Sequence, residues 1–282
     1  MYTLIAQNKY GEQLELTHNE NYNVYDVEGF EPAEAEIIQT HFAGEDGSVF
    51  NSAYVNSRQI IISLSLNAPV EPNRINLYRF FQTKQPVRLF YRTETRNVYI
   101  DGYIKSMPIA FFSKKETIVI TVICPRPYLN GAENNVQDYA NINALFEFPF
   151  AIEETGIPFS ELVTGLEKSI INNGDVETGV IITIRANGSV TTPKIYNVGT
   201  SEHIILNTVL QSGDLVTINT IKGQKEINVL RNGETINLIG SLEEGSSWFQ
   251  LQPGDNIFTV DADALGENMQ VTFNVTNLFS GV

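Results

Sequence analysis

Between Arg58 and Asn67 the chain alternates cleanly. Ile60, Ile62, Leu64 and Leu66 fall on one side, and Ile61, Ser63 and Ser65 fall on the other. That period of two is the signature of a strand with one buried face. Shorter runs at 2–7 and 12–16 flank a turn at Asn8–Gly11 and predict an N-terminal hairpin. Further strands are predicted at Val87–Tyr91, Val98–Ile104, Ile109–Phe112 and Thr117–Ile123, the last two joined through Ser113-Lys114-Lys115-Glu116. Residues 28–36 (EGFEPAEAE) read as an acidic, proline-containing loop, and Gly44-Glu45-Asp46-Gly47-Ser48 reads as a turn. The single helix predicted in this half spans 71–84. Pro72 suits a first helical position and Glu71 complements the dipole at that end. Ile75, Leu77, Tyr78, Phe80 and Phe81 then form a broad apolar face, expected to pack on the sheet.

Cys124-Pro125-Arg126-Pro127-Tyr128 ends the last of these strands, because neither proline can donate to a ladder. The polar, Asn-rich stretch LNGAENNVQDYANIN follows, and the domain junction is placed there. Two domains are expected, 1–135 and 145–282. In the second, β-branched runs separated by Gly-containing turns recur at the spacing of an all-β sandwich. Strands are predicted near 147–152, 179–186, 192–198, 202–209, 215–220, 225–230, 234–238, 247–252, 256–261 and 269–276. Internal repeats are absent, which excludes a solenoid or propeller reading.

Composition changes this picture in two ways. The chain has 282 residues, of which 42% are hydrophobic and 18% charged, as expected of a folded protein with two cores. The net charge of −15 is unevenly spread: residues 1–140 carry −4 and residues 141–282 carry −11. An acidic surface repels phosphate backbones, so the second half is a poor candidate for binding nucleic acid or anionic lipid. The N-terminus, MYTLIAQNKYGEQ, has neither the basic nor the apolar region of a signal peptide, and no apolar run approaches a membrane span. Synthesis and folding in a cytosol are therefore expected.

Candidate chemistry is sparse. His18, His41 and His203 stand apart in sequence, and Cys124 is the only cysteine, so neither a zinc motif nor a disulfide framework is present. No nucleophile elbow or phosphate-binding loop occurs. Asp261-x-Asp263 with Gly266 and Glu267 has part of a calcium loop but lacks its remaining ligands, and reads better as a hairpin tip. Adjacent carboxylates such as Glu153/Glu154 and Glu243/Glu244 point to opposite faces of a strand and cannot flank a sugar ring. Trp248 could be a sugar-stacking platform. The blander reading puts Trp248 and Phe249 on one strand, with one ring in the core and the other at a rim. Arg88, Arg92 and Arg96 form the notable basic series, read as a solvated hairpin or as an intersubunit salt-bridge row against residues 28–36. Catalytic, cofactor-binding and metal-binding residues are all expected to be absent.

The ordered set of turns resembles one family, the distal tail (Dit) proteins of long-tailed, non-contractile bacteriophages or prophages. In the first half the resemblance rests on Gly44-Glu45-Asp46-Gly47, the helix at 71–84 and the strand ending Ile123-Cys124-Pro125-Arg126-Pro127-Tyr128. In the second half it rests on Asn173-Gly174-Asp175, Pro193-Lys194-Ile195, the run from Ser212 to Thr220 and the run from Ser247 to Asn256. It implies a mainly β chain: an N-terminal split β-barrel carrying one helix, and a C-terminal galectin-like antiparallel sandwich. It further implies a hexameric ring formed by the N-terminal domain. That ring would join the major tail tube protein to a tail-associated tip protein and to receptor-binding or baseplate proteins, with a channel through which DNA passes. Neither specific nucleic-acid binding nor membrane insertion is implied, and the place of action is the virion tail tip. The family carries no catalytic residues. Some relatives hold an inserted carbohydrate-binding module, for which this chain has no room. The runner-up reading is a carbohydrate-binding module contacting the host through Trp248, and an acidic β-rich hydrolase is a third.

Overall fold

The computed structural model describes residues 2–110, 116–133, 135–139, 141–144, 160–163 and 167–282. It is mainly β, with one α-helix among the described residues. The chain divides into two compact units. One comprises Met1–Glu133 together with Leu278–Val282, and the other comprises Asn134–Asn277.

In the first unit the strands are β1 (Thr3–Asn8), β2 (Gln13–Glu15), β3 (Tyr22–Glu28), β4 (Ala35–Thr40), β5 (Val49–Val55), β6 (Arg58–Leu66), β7 (Pro86–Arg92), β8 (Asn97–Ser106), β9 (Thr117–Cys124) and β10 (Leu129–Gly131). The main sheet runs β2-β1-β7-β8-β9-β6-β3, with β10 added along β8. Every pairing is antiparallel, for example Ile60↔Val122 and Leu64↔Ile118 between β6 and β9. Leu4 and Ala6 at one end of this path share a core with Ile60, Ile62 and Leu64 near the other, so the sheet curls around its own apolar face. No pairing joins β2 to β3, and the barrel is therefore split. The alternation expected for 58–67 is realised, with Ile60, Ile62, Leu64 and Leu66 all buried.

Helix α1 spans Val70–Phe80, shorter than the expected 71–84 and one residue earlier at its start. Pro72 thus sits within the first turn, where its missing N–H would be unpaired in any case. The Phe81 N–H bonds the Leu77 carbonyl at 2.8 Å, and Phe81 leaves the helical conformation at φ −99°, ψ 66°, which ends the helix. The expected apolar face is also narrower. Leu77 and Phe81 are buried and Phe80 is half-buried, whereas Ile75 and Tyr78 are exposed. Asn73 takes a buried place, its Nδ2 donating to the Asn67 carbonyl at 3.0 Å. The expected strand at Ile109–Phe112 reduces to an Ile109↔Ile118 bridge followed by the Ala110 N–H donating to the Thr117 carbonyl, and Phe111 and Phe112 lie outside the described residues.

In the second unit the strands are β11 (Asn135–Asp138), β12 (Asn141–Ala144), β13 (Ser160–Val163), β14 (Lys168–Asn172), β15 (Val180–Ala186), β16 (Val190–Asn197), β17 (Glu202–Ile205), β18 (Val209–Leu210), β19 (Leu215–Asn219), β20 (Glu226–Arg231), β21 (Glu234–Asn237), β22 (Gly254–Ala264) and β23 (Met269–Val275). One sheet runs β11-β23-β15-β19-β20-β21. The other runs β14-β22-β16-β17, with β18 beside β16. Their inner faces share a single core, which defines an antiparallel sandwich. At its centre Phe258 lies 5.2 Å from Phe249 and 5.0 Å from Phe273, ring centre to ring centre. The buried Tyr139 keeps its hydroxyl satisfied by accepting the Val260 N–H at 3.0 Å. The strand expected near 147–152 lies outside the described residues. Residues 247–252 form an irregular segment touching the sandwich through a Thr178↔Leu251 bridge, not the strand expected there.

The chain then returns. Strand β24 (Leu278–Phe279) pairs with β10 of the first unit, Leu129↔Phe279 and Asn130↔Leu278. The second unit is thus inserted into the chain of the first. The expected second domain, 145–282, differs from this unit at both ends. A two-residue strand without alternation carries no local signal that it belongs to a sheet more than a hundred residues earlier.

Candidate functional site

Strands β4 and β5 form a two-stranded sheet that joins no other among the described residues. Every residue of the pair is exposed except Val55, which is half-buried. Register places Ala35 opposite Val55, Ile37 opposite Ala53 and Gln39 opposite Phe50, with an extra residue in β5 between the last two pairs. Cross-strand partners share a face. One face therefore carries Ala35, Ile37, Phe50, Ala53 and Val55, and only Gln39 breaks its apolar character. Ile37 is 54% exposed and Phe50 is 63% exposed. The other face carries Glu36, Ile38, Thr40, Val49, Ser52 and Tyr54. There the Glu36 carboxylate accepts from Tyr54 and from Asn56, which holds its pKa below the ordinary value and raises that of the tyrosine. Phe42, 55% exposed, extends the apolar surface into the connecting turn. An isolated two-stranded hairpin is at best marginal in water, so such a surface calls for a partner. The acidic loop expected at 28–36 ends inside this hairpin, since Ala35 and Glu36 are already β4.

A groove of about 850 Å³ opens at the split of the barrel, between Tyr2 and Leu16–Glu20 on one side and Tyr22–Val24 on the other. Its polar groups serve the chain itself. His18 Nε2 lies 3.2 Å from the Tyr2 carbonyl, Asn19 donates to the Glu15 carbonyl and Asn67 donates to the Glu20 carbonyl.

The structure brings none of the three histidines together. His41 contacts the Gly47 carbonyl in the hairpin turn, and His203 lies beside Tyr196 in the sandwich. No group of three or more metal-ligating side chains forms among the described residues. Cys124 is fully buried, and that burial pushes its thiol up to about 12, so it is inert. Asp263 pairs with Lys194, and the segment after it passes through Leu265 from β22 in one sheet to β23 in the other, a connection between sheets and not the expected hairpin tip. Glu153 and Glu154 lie outside the described residues, and Glu243 is tied by its N–H to the Ile205 carbonyl. Phe249 is in the core. Trp248 is half-buried against that core, with Lys225 Nζ 5.6 Å from its ring centre. The arginine series disperses. Arg88 makes a two-bond pair with Asp101 at 2.6 and 2.9 Å and stacks on Tyr99, while Arg96 lies over Phe279. No helix of the described residues is long and apolar enough to cross a membrane.

Residues 173–276 match the siphovirus-type tail component, C-terminal domain, which covers most of the sandwich. Over its whole length the chain is similar to the crystal structure of the SPP1 Dit protein, described as a paradigm of the hub adsorption apparatus in phages that infect Gram-positive bacteria. The TM-score is 0.71 and the identity 16%, over 99% of each chain. Residues 173–276 thus carry the C-terminal domain of that tail component family, and the whole chain shares the fold of the SPP1 Dit protein. A chain of the phage P2 baseplate in its calcium-activated conformation is similar too, with a TM-score of 0.55 and 13% identity over 98% of each chain. No curated protein matches. At these identities the structural likeness shows the fold alone.

Proposed function

We propose that this chain is the structural hub of a phage tail tip. Its first unit closes a hexameric ring that joins the tail tube to the host-binding apparatus and leaves a channel for DNA. The observation that carries this reading is the β4–β5 hairpin, whose apolar face has no partner strand or helix within its own sheet. A ring is a heterologous contact, in which each subunit offers two different patches. The hairpin is one such patch, and the barrel of the next subunit supplies the other. The fold shared with the SPP1 hub protein supports the reading, as does the family of the second unit. On this reading the protein acts in the virion tail after synthesis in the host, and its partners are further copies of itself, the tube protein, a tip protein and receptor-binding components. With a net charge of −15, the chain offers little to retain DNA in transit.

The carbohydrate-binding alternative needs an open aromatic platform, and Trp248 offers less than one. Its ring packs on the core beneath Lys225. The deciding experiment is negative-stain microscopy with solution mass across a concentration series. Six-membered rings with a central hole support the hub. A monomer at every concentration, alone and with tube protein, overturns it.

A further inference from the structure

The last five residues of the chain are built into the first unit. Beyond the β10–β24 pairing, the Arg96 guanidinium lies 4.6 Å from the Phe279 ring centre and donates to the Gly281 carbonyl at 2.7 Å. The Val282 N–H donates to the Phe30 carbonyl at 3.1 Å. Phe30 belongs to the short segment, residues 29–34, through which the chain enters the β4–β5 hairpin. The exit from that hairpin runs through Asn56 and Ser57 into Arg58, the first residue of β6.

Arg58 is 4% exposed, and its guanidinium donates to four main-chain carbonyls. Gly29 and Glu31, both at 2.9 Å, lie at the hairpin's entry. Pro127, at 2.6 Å, lies just before β10, and Ser280, at 2.6 Å, lies in the C-terminal segment. A buried cation is costly unless its donors are matched, and here the matching groups are neutral carbonyls set around a rigid fork. Such an arrangement fixes relative position more than it neutralises charge. The packing leaves no slack either. Gly29 has φ +95°, and a Cβ there would lie 2.1 Å from the Gln59 carbonyl oxygen. A Cβ on Gly281 would lie 2.8 Å from Pro32 Cδ and 2.9 Å from the Pro32 nitrogen. Entry, exit and C-terminal segment interlock at one point.

A hairpin with no third strand takes its direction from its stems. We propose that the C-terminal segment Leu278–Val282 and Arg58 form a clamp on the root of the β4–β5 hairpin, fixing the direction in which that arm leaves the barrel. Arg58 is then a positioning residue for whatever the arm grips. The inference rests on the reading of the hairpin as an assembly arm, but its test is separable from ring formation.

The test uses the full chain, dilute and monomeric, with spin labels at Asp46→Cys in the hairpin turn and Lys105→Cys on β8. The buried thiol of Cys124 stays unlabelled. Electron–electron distance measurements should return one narrow distribution in the parent. Its width should roughly double in a chain ending at Phe279, in Gly281→Ala and in Arg58→Lys, as expected when an anchored element gains angular freedom. An unchanged distribution in all three overturns the clamp. Should the truncated chain lose its fold, amide exchange in Gly281→Ala decides. Faster exchange confined to residues 29–40 and 49–57 supports the clamp, and an even loss through β6–β9 overturns it. A parent that never forms rings while its label distances respond to the variants would remove the hub reading and leave the clamp standing.

Discussion

Asp214 is a single residue whose role no local pattern announces. It sits in the Ser212-Gly213-Asp214 turn, its side chain 2% exposed, and receives both the Arg231 guanidinium at 2.9 Å and the Gln211 N–H at 2.8 Å. The Leu215↔Leu230 register is what brings Asp214 beside Arg231. The hydrogen bond from Arg231 is the main cause of a pKa below the ordinary 3.8. A carboxylate whose folded pKa is depressed stabilises the fold above its unfolded value, and that contribution is lost as pH falls through the folded one. Melting temperature should therefore decline from about pH 5 to about pH 3 in the parent and decline less steeply in Asp214→Asn. A parallel acid limb in the two proteins would remove Asp214 as a cause. Core residues behave differently. Phe258→Ala removes the centre of the aromatic cluster and should cost about 3–5 kcal/mol in chemical denaturation. Trp248→Ala, at a half-buried rim, should cost about 1–2 kcal/mol, and glycan binding in the parent should be undetectable. The adjacent aromatic pair was legible in the sequence. Which ring faces inward was settled by an irregular segment, and a strand had been expected there.

At the scale of elements, alternation and turn chemistry located β6, β7, β8, β9, β15, β19 and β20 within a residue or two. The hairpin β4–β5 escaped because its runs, Ala-Glu-Ile-Ile-Gln-Thr and Val-Phe-Asn-Ser-Ala-Tyr-Val, do not alternate, and no core receives their apolar residues. Burial is a property of the neighbours, and alternation is a property of the strand. For the arm, Ile37→Asp with Phe50→Asp should leave the melting temperature nearly unchanged while shifting the assembly to smaller species in sedimentation. Retained rings would show that another surface closes them. Helix α1 illustrates the same limit. Ile75 and Tyr78 look like core residues but are exposed, so Ile75→Lys should fall within about 0.5 kcal/mol of the parent, the range for a surface change. Leu77→Ala should cost about 2–5 kcal/mol.

On the scale of the whole molecule, the insertion of one unit into the other sets what can be separated. A chain of residues 1–135 lacks β24, the Ser280 carbonyl that is one of the four partners of Arg58, and the Phe279 and Gly281 contacts of Arg96. Joining Glu133 to Leu278 through a short glycine linker restores them, because β10 and β24 run antiparallel side by side. The joined form should melt higher than residues 1–133 alone and should keep the assembly behaviour of the full chain. Residues 134–277 should fold as a monomer. Equal melting temperatures for the two forms of the first unit would show the returning segment to be dispensable.

The strand content, the sandwich and the tally of charge were readable from the chain alone, since strand period, turn residues and composition are local or additive quantities. The exposed arm, the split of the barrel, the Asp214–Arg231 pair and the returning C-terminus were decided by tertiary structure. Each depends on a meeting of distant residues, and the Arg58–Ser280 bond, 222 residues apart, is a clear case. Nothing in the immediate surroundings of either residue encodes that contact. It exists because a curled sheet closes over a buried guanidinium whose donors must all be met before the fold can bury it.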